Sequence, residues 1–154
     1  MIRPFVTLLL LIAVPAGCAL ISGEPEEEPF RAEDLEAFTE RIRESFAVHE
    51  WQALLAAADP EHYRTQVVEL GMDEPQYVAE LFGLHTVNNT IQEGDTLEWS
   101  DLERTESVSL RPASDEGPPY RLIGTVILEN GERLEIDATA IRIRGRFALT
   151  GGVG

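Results

Sequence analysis

Cys18 is the only cysteine in the chain of 154 residues. A single thiol can take part in one covalent event, but it cannot staple a fold or build a thiolate metal site. The three histidines, His49, His62 and His85, are scattered, and none stands in an HExxH pattern or at i, i+4 from another ligand. No metal is expected. Asp59 and His62 lie three apart, but Asp59 precedes Pro60 and is expected to cap a helix. In LHTVNNT, His85 joins Asn88 and Asn89 in a polar loop suited to recognition, although turn chemistry accounts for the asparagines equally. No GxSxG elbow and no glycine loop that could cradle a phosphate occurs, so no cofactor is expected.

The position of the thiol matters more than its number. Arg3 precedes FVTLLLLIAV, Phe5 to Val14, and small residues follow, which is the order of a secretory leader. Ten helical residues would rise about 15 Å, half of a hydrocarbon core about 30 Å thick, so a permanent span is not expected. Around PAGC the leader resembles the lipobox of bacterial lipoproteins: Ala16, Gly17 and Cys18 fit it, whereas Pro15 stands where those proteins carry Leu. The resemblance implies a signal peptide over residues 1–17, cleavage before Cys18, acylation of its thiol, and residence in a bacterial cell envelope with the membrane as partner through the acyl chains. An ordinary cleaved signal is the alternative. Residues 18–32, with Glu24 before Pro25 and Glu26, Glu27 and Glu28 between Pro25 and Pro29, then read as an extended acidic tether. Residues 33–154 remain for one domain.

The formal net charge is −16, and all 12 basic residues are arginine. Such a balance excludes nucleic acid as a partner, because binding it requires a basic patch that displaces counterions. It also opposes anionic lipid surfaces, leaving acyl chains as the means of membrane residence.

The elements of the domain change in kind half-way along. Leu35, Phe38, Ile42 and Phe46 form a helical stripe within residues 33–48, and Trp51, Leu54 and Leu55 form another within residues 50–58. Asp59-Pro60 opens a third helix carrying Tyr63, Val67 and Leu70 and ending at Gly71; Asp73-Glu74-Pro75 opens a fourth carrying Tyr77, Val78, Leu81 and Phe82 and ending at Gly83. Beyond residue 94 the period becomes two. Leu97 and Trp99, then Val108 and Leu110, are expected on strand segments joined by a bulge near Leu102. Residues 120–129 are apolar on both parities and are expected to be covered on both faces. Asn130-Gly131 predicts a type I′ hairpin turn, and Arg144-Gly145 a second turn before Phe147 and Leu149. The fold class is therefore α+β, with N-terminal helices packed on a curved antiparallel sheet.

HEWQALLAAADPE, residues 49–61, and IRIRGRFALTGG, residues 141–152, resemble segments of the nuclear transport factor 2-like superfamily. Trp51, Leu54 and Leu55 fit the first pattern; Gly145 and Phe147 fit the second, with Phe in place of the usual Trp. The order of elements agrees along nearly the whole domain. This resemblance implies a cone with a pocket between sheet and helices, lined by Phe38, Trp51, Tyr63, Tyr77, Phe82, Trp99, Val108 and Leu110, most of which any core would also require. Tyr63, Tyr77, Trp99 and His85 are its candidate ligand-binding residues. Isomerase-type members hold a carboxylate base in such a pocket, and Asp101, on the parity of Leu97 and Trp99, is the candidate, with Tyr63 or Tyr77 as donors. One fold serves many purposes. The leading expectation is a non-catalytic, lipid-anchored domain that binds a small apolar ligand or a protein, and an isomerase or dehydratase is the alternative. Ile123, Thr125 and Ile127 would allow a homodimer across the sheet.

Overall fold

The computed structural model describes residues 30–84, 97–114 and 116–151. The leader, Cys18 and the tether up to residue 29 lie outside these residues, as do His85, Asn88 and Asn89.

The helical half follows its stripes. Helix α1, Ala32–Ala47, buries Leu35, Phe38, Ile42 and Phe46, each contributing about 1.5–3 kcal/mol by removal from water. Its approach is fixed by Phe30, whose ring stacks on Tyr120 with centroids 5.0 Å apart. His49, at φ 62°, turns the chain sharply into α2, Trp51–Ala56. The Asp59 carboxylate accepts from the Glu61 N–H at 3.1 Å, and Pro60 takes the first position of α3, Pro60–Tyr63.

There the helix changes gauge. Arg64–Glu69 is a π-helical stretch, in which the Leu70 N–H reaches back to the Thr65 carbonyl at 3.0 Å. The wider turn rotates the following residues away from an α-helical stripe. Tyr63 and Val67 still pack on the core, whereas Leu70, expected inside, is 70% exposed. Gly71, at φ 77°, leads into α4, Glu74–Leu81, which ends at Gly83 at φ 65°.

Residues 97–102 are not a strand. Trp99–Leu102 forms a short helix, α5, closed by a reciprocal capping box between Glu98 and Asp101. Four carboxylate and backbone groups satisfied at once outweigh a two-residue alternation of Leu97 and Trp99. The strands follow as an antiparallel meander of β1, Thr105–Pro112, β2, Tyr120–Leu128, β3, Arg133–Ile143, and β4, Arg146–Leu149. The sheet is curled, and the helices pack on it to give an α+β, cone-like domain. The ladder shifts register between Thr105 and Ser107, so the irregularity expected near Leu102 sits inside β1.

Both turns form, with their types redistributed. At the β2–β3 connection only Gly131 takes a positive φ, at 86°; its N–H closes a turn on Leu128 O at 2.8 Å, and Leu128 N–H pairs with Glu132 O at 2.9 Å. This is a turn followed by a glycine bulge rather than a two-residue I′ loop. The I′ geometry occurs instead at Arg144 and Gly145, at φ 52° and 78°, between the paired Ile143 and Arg146. Strand β2 buries Tyr120, Leu122, Val126 and Leu128, while Ile123, Thr125 and Ile127 on its other face are half-exposed. The expectation of two covered faces is therefore met on one among the described residues. Gly124 lets β1 pass: a Cβ there would stand 1.9 Å from the Ser109 carbonyl oxygen.

The end of the chain ties the halves together. Asp59 N–H donates to Leu149 O, and Leu149 N–H to Ala57 O, both at 2.8 Å. These bonds clamp the end of α2 to β4.

Candidate functional site: an arginine-rimmed groove

The residues singled out for chemistry fall into two settings, neither of them an open cone. Tyr63 and Tyr77 do meet, edge to face with centroids 5.4 Å apart. The Tyr63 hydroxyl donates to Glu74 Oε1 at 2.8 Å, and the Tyr77 oxygen lies 2.8 Å from His62 Nδ1. The bond to Glu74, followed by burial, raises the Tyr63 phenol above its ordinary pKa. Burial first, then the charge of Asp59, pushes the fully buried Tyr77 far above the ordinary phenol range. Phe38, Phe82, Val108 and Leu110 belong to the same packed cluster. Tyr63, Tyr77 and Phe82, expected as a pocket lining, are here part of the filling.

Trp99 belongs to the second setting. Its ring stacks on Trp51 at 5.7 Å, and Trp51 stacks on His49 at 5.4 Å. His49 Nε2 lies 3.1 Å from the Thr105 carbonyl, and a shallow depression of about 410 Å3 passes over His49, Trp51 and Trp99. Asp101 is close in sequence but differently used. It is 8% exposed, and its Oδ2 accepts from the Glu98 N–H at 2.8 Å. The strand parity that would have aimed its carboxylate at Tyr63 or Tyr77 does not exist.

A groove lies elsewhere, between α1, the end of α2 and the β3–β4 hairpin, with a volume of about 680 Å3. Phe38 and Ile42 from α1 and Phe147 from β4 form its apolar floor, with Ala37, Ala53, Ala56 and Ala57 along its sides. The two rings lie 5.6 Å apart. Arg31, Arg41, Arg142 and Arg146 stand around it, against the single carboxylate of Asp34. The Arg41 guanidinium carbon is 6.0 Å from the Phe38 ring centroid, and that of Arg142 is 5.8 Å from the Phe147 centroid, both within cation–π range.

Helical spacing delivers one side of this rim. Arg31, Asp34, Arg41 and Ser45 flank the buried stripe that contains Phe38 and Ile42, so positive charge runs along its border. The hairpin delivers the other. Arg142 pairs directly with Phe147 across the ladder, and the I′ turn returns Arg146 to the same mouth. Arg31, Arg41 and Arg146 form no ion pair among the described residues.

No known family model, curated protein or solved structure matches the chain. The site's chemistry therefore has to be read from its own side chains. Reasoning from sequence treated the arginines only as a sum of charge. The signal that could have found the groove was the period-two series Arg142, Arg144, Arg146 beside an amphipathic helix bordered by Arg31 and Arg41. No group of three or more metal-ligating side chains occurs among the described residues, and no described helix is long and apolar enough to cross a membrane.

Proposed function

We propose that this protein is a non-catalytic binding domain of a bacterial cell envelope, held to the membrane by acyl chains on Cys18, and that its ligand enters the groove between α1 and the β3–β4 hairpin. The observation that carries the reading is the groove itself. Four of the 12 arginines of a chain with net charge −16 gather around one apolar floor. Arg31, Arg41 and Arg146 have no ion-pair partner among the described residues, and their gathering beside the partly exposed Phe147 ring on so acidic a chain supports a ligand there. A base for isomerisation would need a free carboxylate facing a cavity, and Asp101 is engaged in helix capping.

The lipobox-like segment supports the anchoring half of the reading. Incorporation of labelled palmitate that disappears in Cys18→Ser tests it; an unlabelled wild-type protein removes it. The binding half is tested by mass spectrometry of small molecules that accompany the protein, in wild type and in Ala37→Trp. Ala37 lines the groove on the exposed side of α1, so an indole there fills the space without entering the core. A molecule lost from Ala37→Trp places binding in the groove, and one retained at the same level removes the groove from consideration.

A further inference from the structure

Resting on that reading of the groove, we infer that its ligand is a small free anionic amphiphile: one carboxylate or similar oxyanion joined to a compact apolar, preferably aromatic, body. The floor sets the body. The partly exposed Phe147 ring, backed at 5.6 Å by the buried Phe38, lies beside a wall of alanines, a surface that takes a ring or short alkyl chain, with Ser45 as the one neutral side-chain hydroxyl of the lining. The rim sets the head. Arg41 and Arg142 each hold a guanidinium over one of these rings, while Arg31 and Arg146 stand exposed beside them. A guanidinium fork pairs with an oxyanion through two parallel hydrogen bonds, and it keeps its charge at any physiological pH. Asp34 is the one lining carboxylate, and it disfavours a second negative charge at the α1 end of the groove.

Size and charge together restrict the source. A volume of about 680 Å3 suits one small molecule. The remaining surface carries most of the 28 acidic residues, so an extended anion such as a membrane face or an acidic protein meets repulsion over a wide area. A small anion needs only the local field of the groove, since charges farther away than about 8 Å are screened at physiological salt.

The experiment uses the full chain in a non-ionic detergent, with 4-phenylbutyrate as probe, 4-phenylbutylamine as the same body with a cationic head, and acetate as a head without a body. Calorimetric titration of wild type is expected to show saturable one-to-one binding of 4-phenylbutyrate that weakens as salt rises, and no saturation with the other two. In Arg41→Gln/Arg146→Gln, whose side chains are exposed, affinity is expected to fall at least tenfold with the circular dichroism spectrum unchanged. Equal binding of the amine, an unaltered affinity in the double variant, or no saturation by 4-phenylbutyrate in folded wild type would overturn the assignment. A photo-crosslinking residue at position 37 in living cells separates this failure from failure of the broader reading. An adduct with a small anionic amphiphile supports the inference. An adduct with a neutral or cationic molecule, a phospholipid or a protein overturns it and leaves the groove as a binding site; no adduct at all removes that too.

Discussion

The knot around Tyr77 and the groove beside Phe38 are both aromatic and both bordered by charge, yet they are opposite in what they leave unsatisfied. In the knot, Tyr63, Glu74, His62 and Tyr77 engage one another at hydrogen-bond distance, and Tyr77 is fully buried. In the groove, Arg31, Arg41 and Arg146 lack ion-pair partners among the described residues, and the rings beneath them reach a cavity. Buried polar groups with complete partners specify a fold. Exposed charges without partners keep a local field that the proposed ligand would meet. Aromatic and charged side chains thus serve stability in one place and, on the proposed reading, recognition in the other, and the two regions should respond oppositely to substitution.

The largest effect should come from the knot. Tyr77→Ala removes a fully buried ring that packs against Tyr63 and His62, and we expect a loss of about 3–5 kcal/mol in urea unfolding. Binding of 4-phenylbutyrate below the transition should remain. A loss below about 1 kcal/mol would show that the knot is not the structural centre we describe.

Alkaline titration probes the same ring more gently. Burial raises the Tyr77 pKa in the folded protein, so the native state keeps the phenol protonated where the unfolded chain has lost its proton. The contribution is complete below the unfolded value of about 10, and stability then falls by about 1.4 kcal/mol per pH unit as pH rises toward the folded pKa. Tyr77→Phe should flatten that slope without moving stability near pH 7 by more than about 1–2 kcal/mol. An unchanged slope would assign alkaline sensitivity to other groups.

Much of the scaffold was legible because it depends on local periodicity. The stripe from Leu35 to Phe46 needs only 3.6 residues per turn and an apolar environment, and Asp59-Pro60, Gly71 and Gly83 mark their boundaries through backbone constraints that act within a few residues. Residues 97–102 misled because two alternations are a weak signal, while the capping box at Glu98 and Asp101 is a strong one overlooked beside it. The π stretch after Tyr63 and the exchange of turn types between Gly131 and Arg144-Gly145 depend on register fixed by distant pairing. The groove was hidden for the same reason. Arg41 and Arg146 are far apart in sequence, and tertiary contacts, the packing of Phe38 on Phe147 and the clamp of Ala57 and Asp59 onto Leu149, bring their elements to a common mouth.

Asp101 offers a smaller test of where recognition ends and structure begins. Its carboxylate accepts from Glu98 N–H, so Asp101→Ala should cost about 1 kcal/mol. Asp101→Asn retains an acceptor and should recover most of that loss. If instead either variant abolished 4-phenylbutyrate binding while stability held, the aspartate would belong to the site and the capping role would be incidental.

The smallest expected change in stability is the sharpest discriminator. Replacing Arg146 by Gln removes an exposed guanidinium that has no ion pair among the described residues. Two electrostatic effects then compete. Relief of repulsion among the groove arginines favours the variant, whereas loss of a positive charge from a chain already at −16 opposes it. Both act through solvent between exposed groups, so we expect the net change to stay within about 0.5 kcal/mol. Salt separates the two: if local repulsion dominates, the variant is the more stable at low ionic strength and the difference vanishes near 1 M, where screening acts within about 3 Å. A loss above about 1 kcal/mol would mean that this arginine holds the fold. In that case the division between a satisfied interior and an uncommitted groove would fail at a residue that defines it.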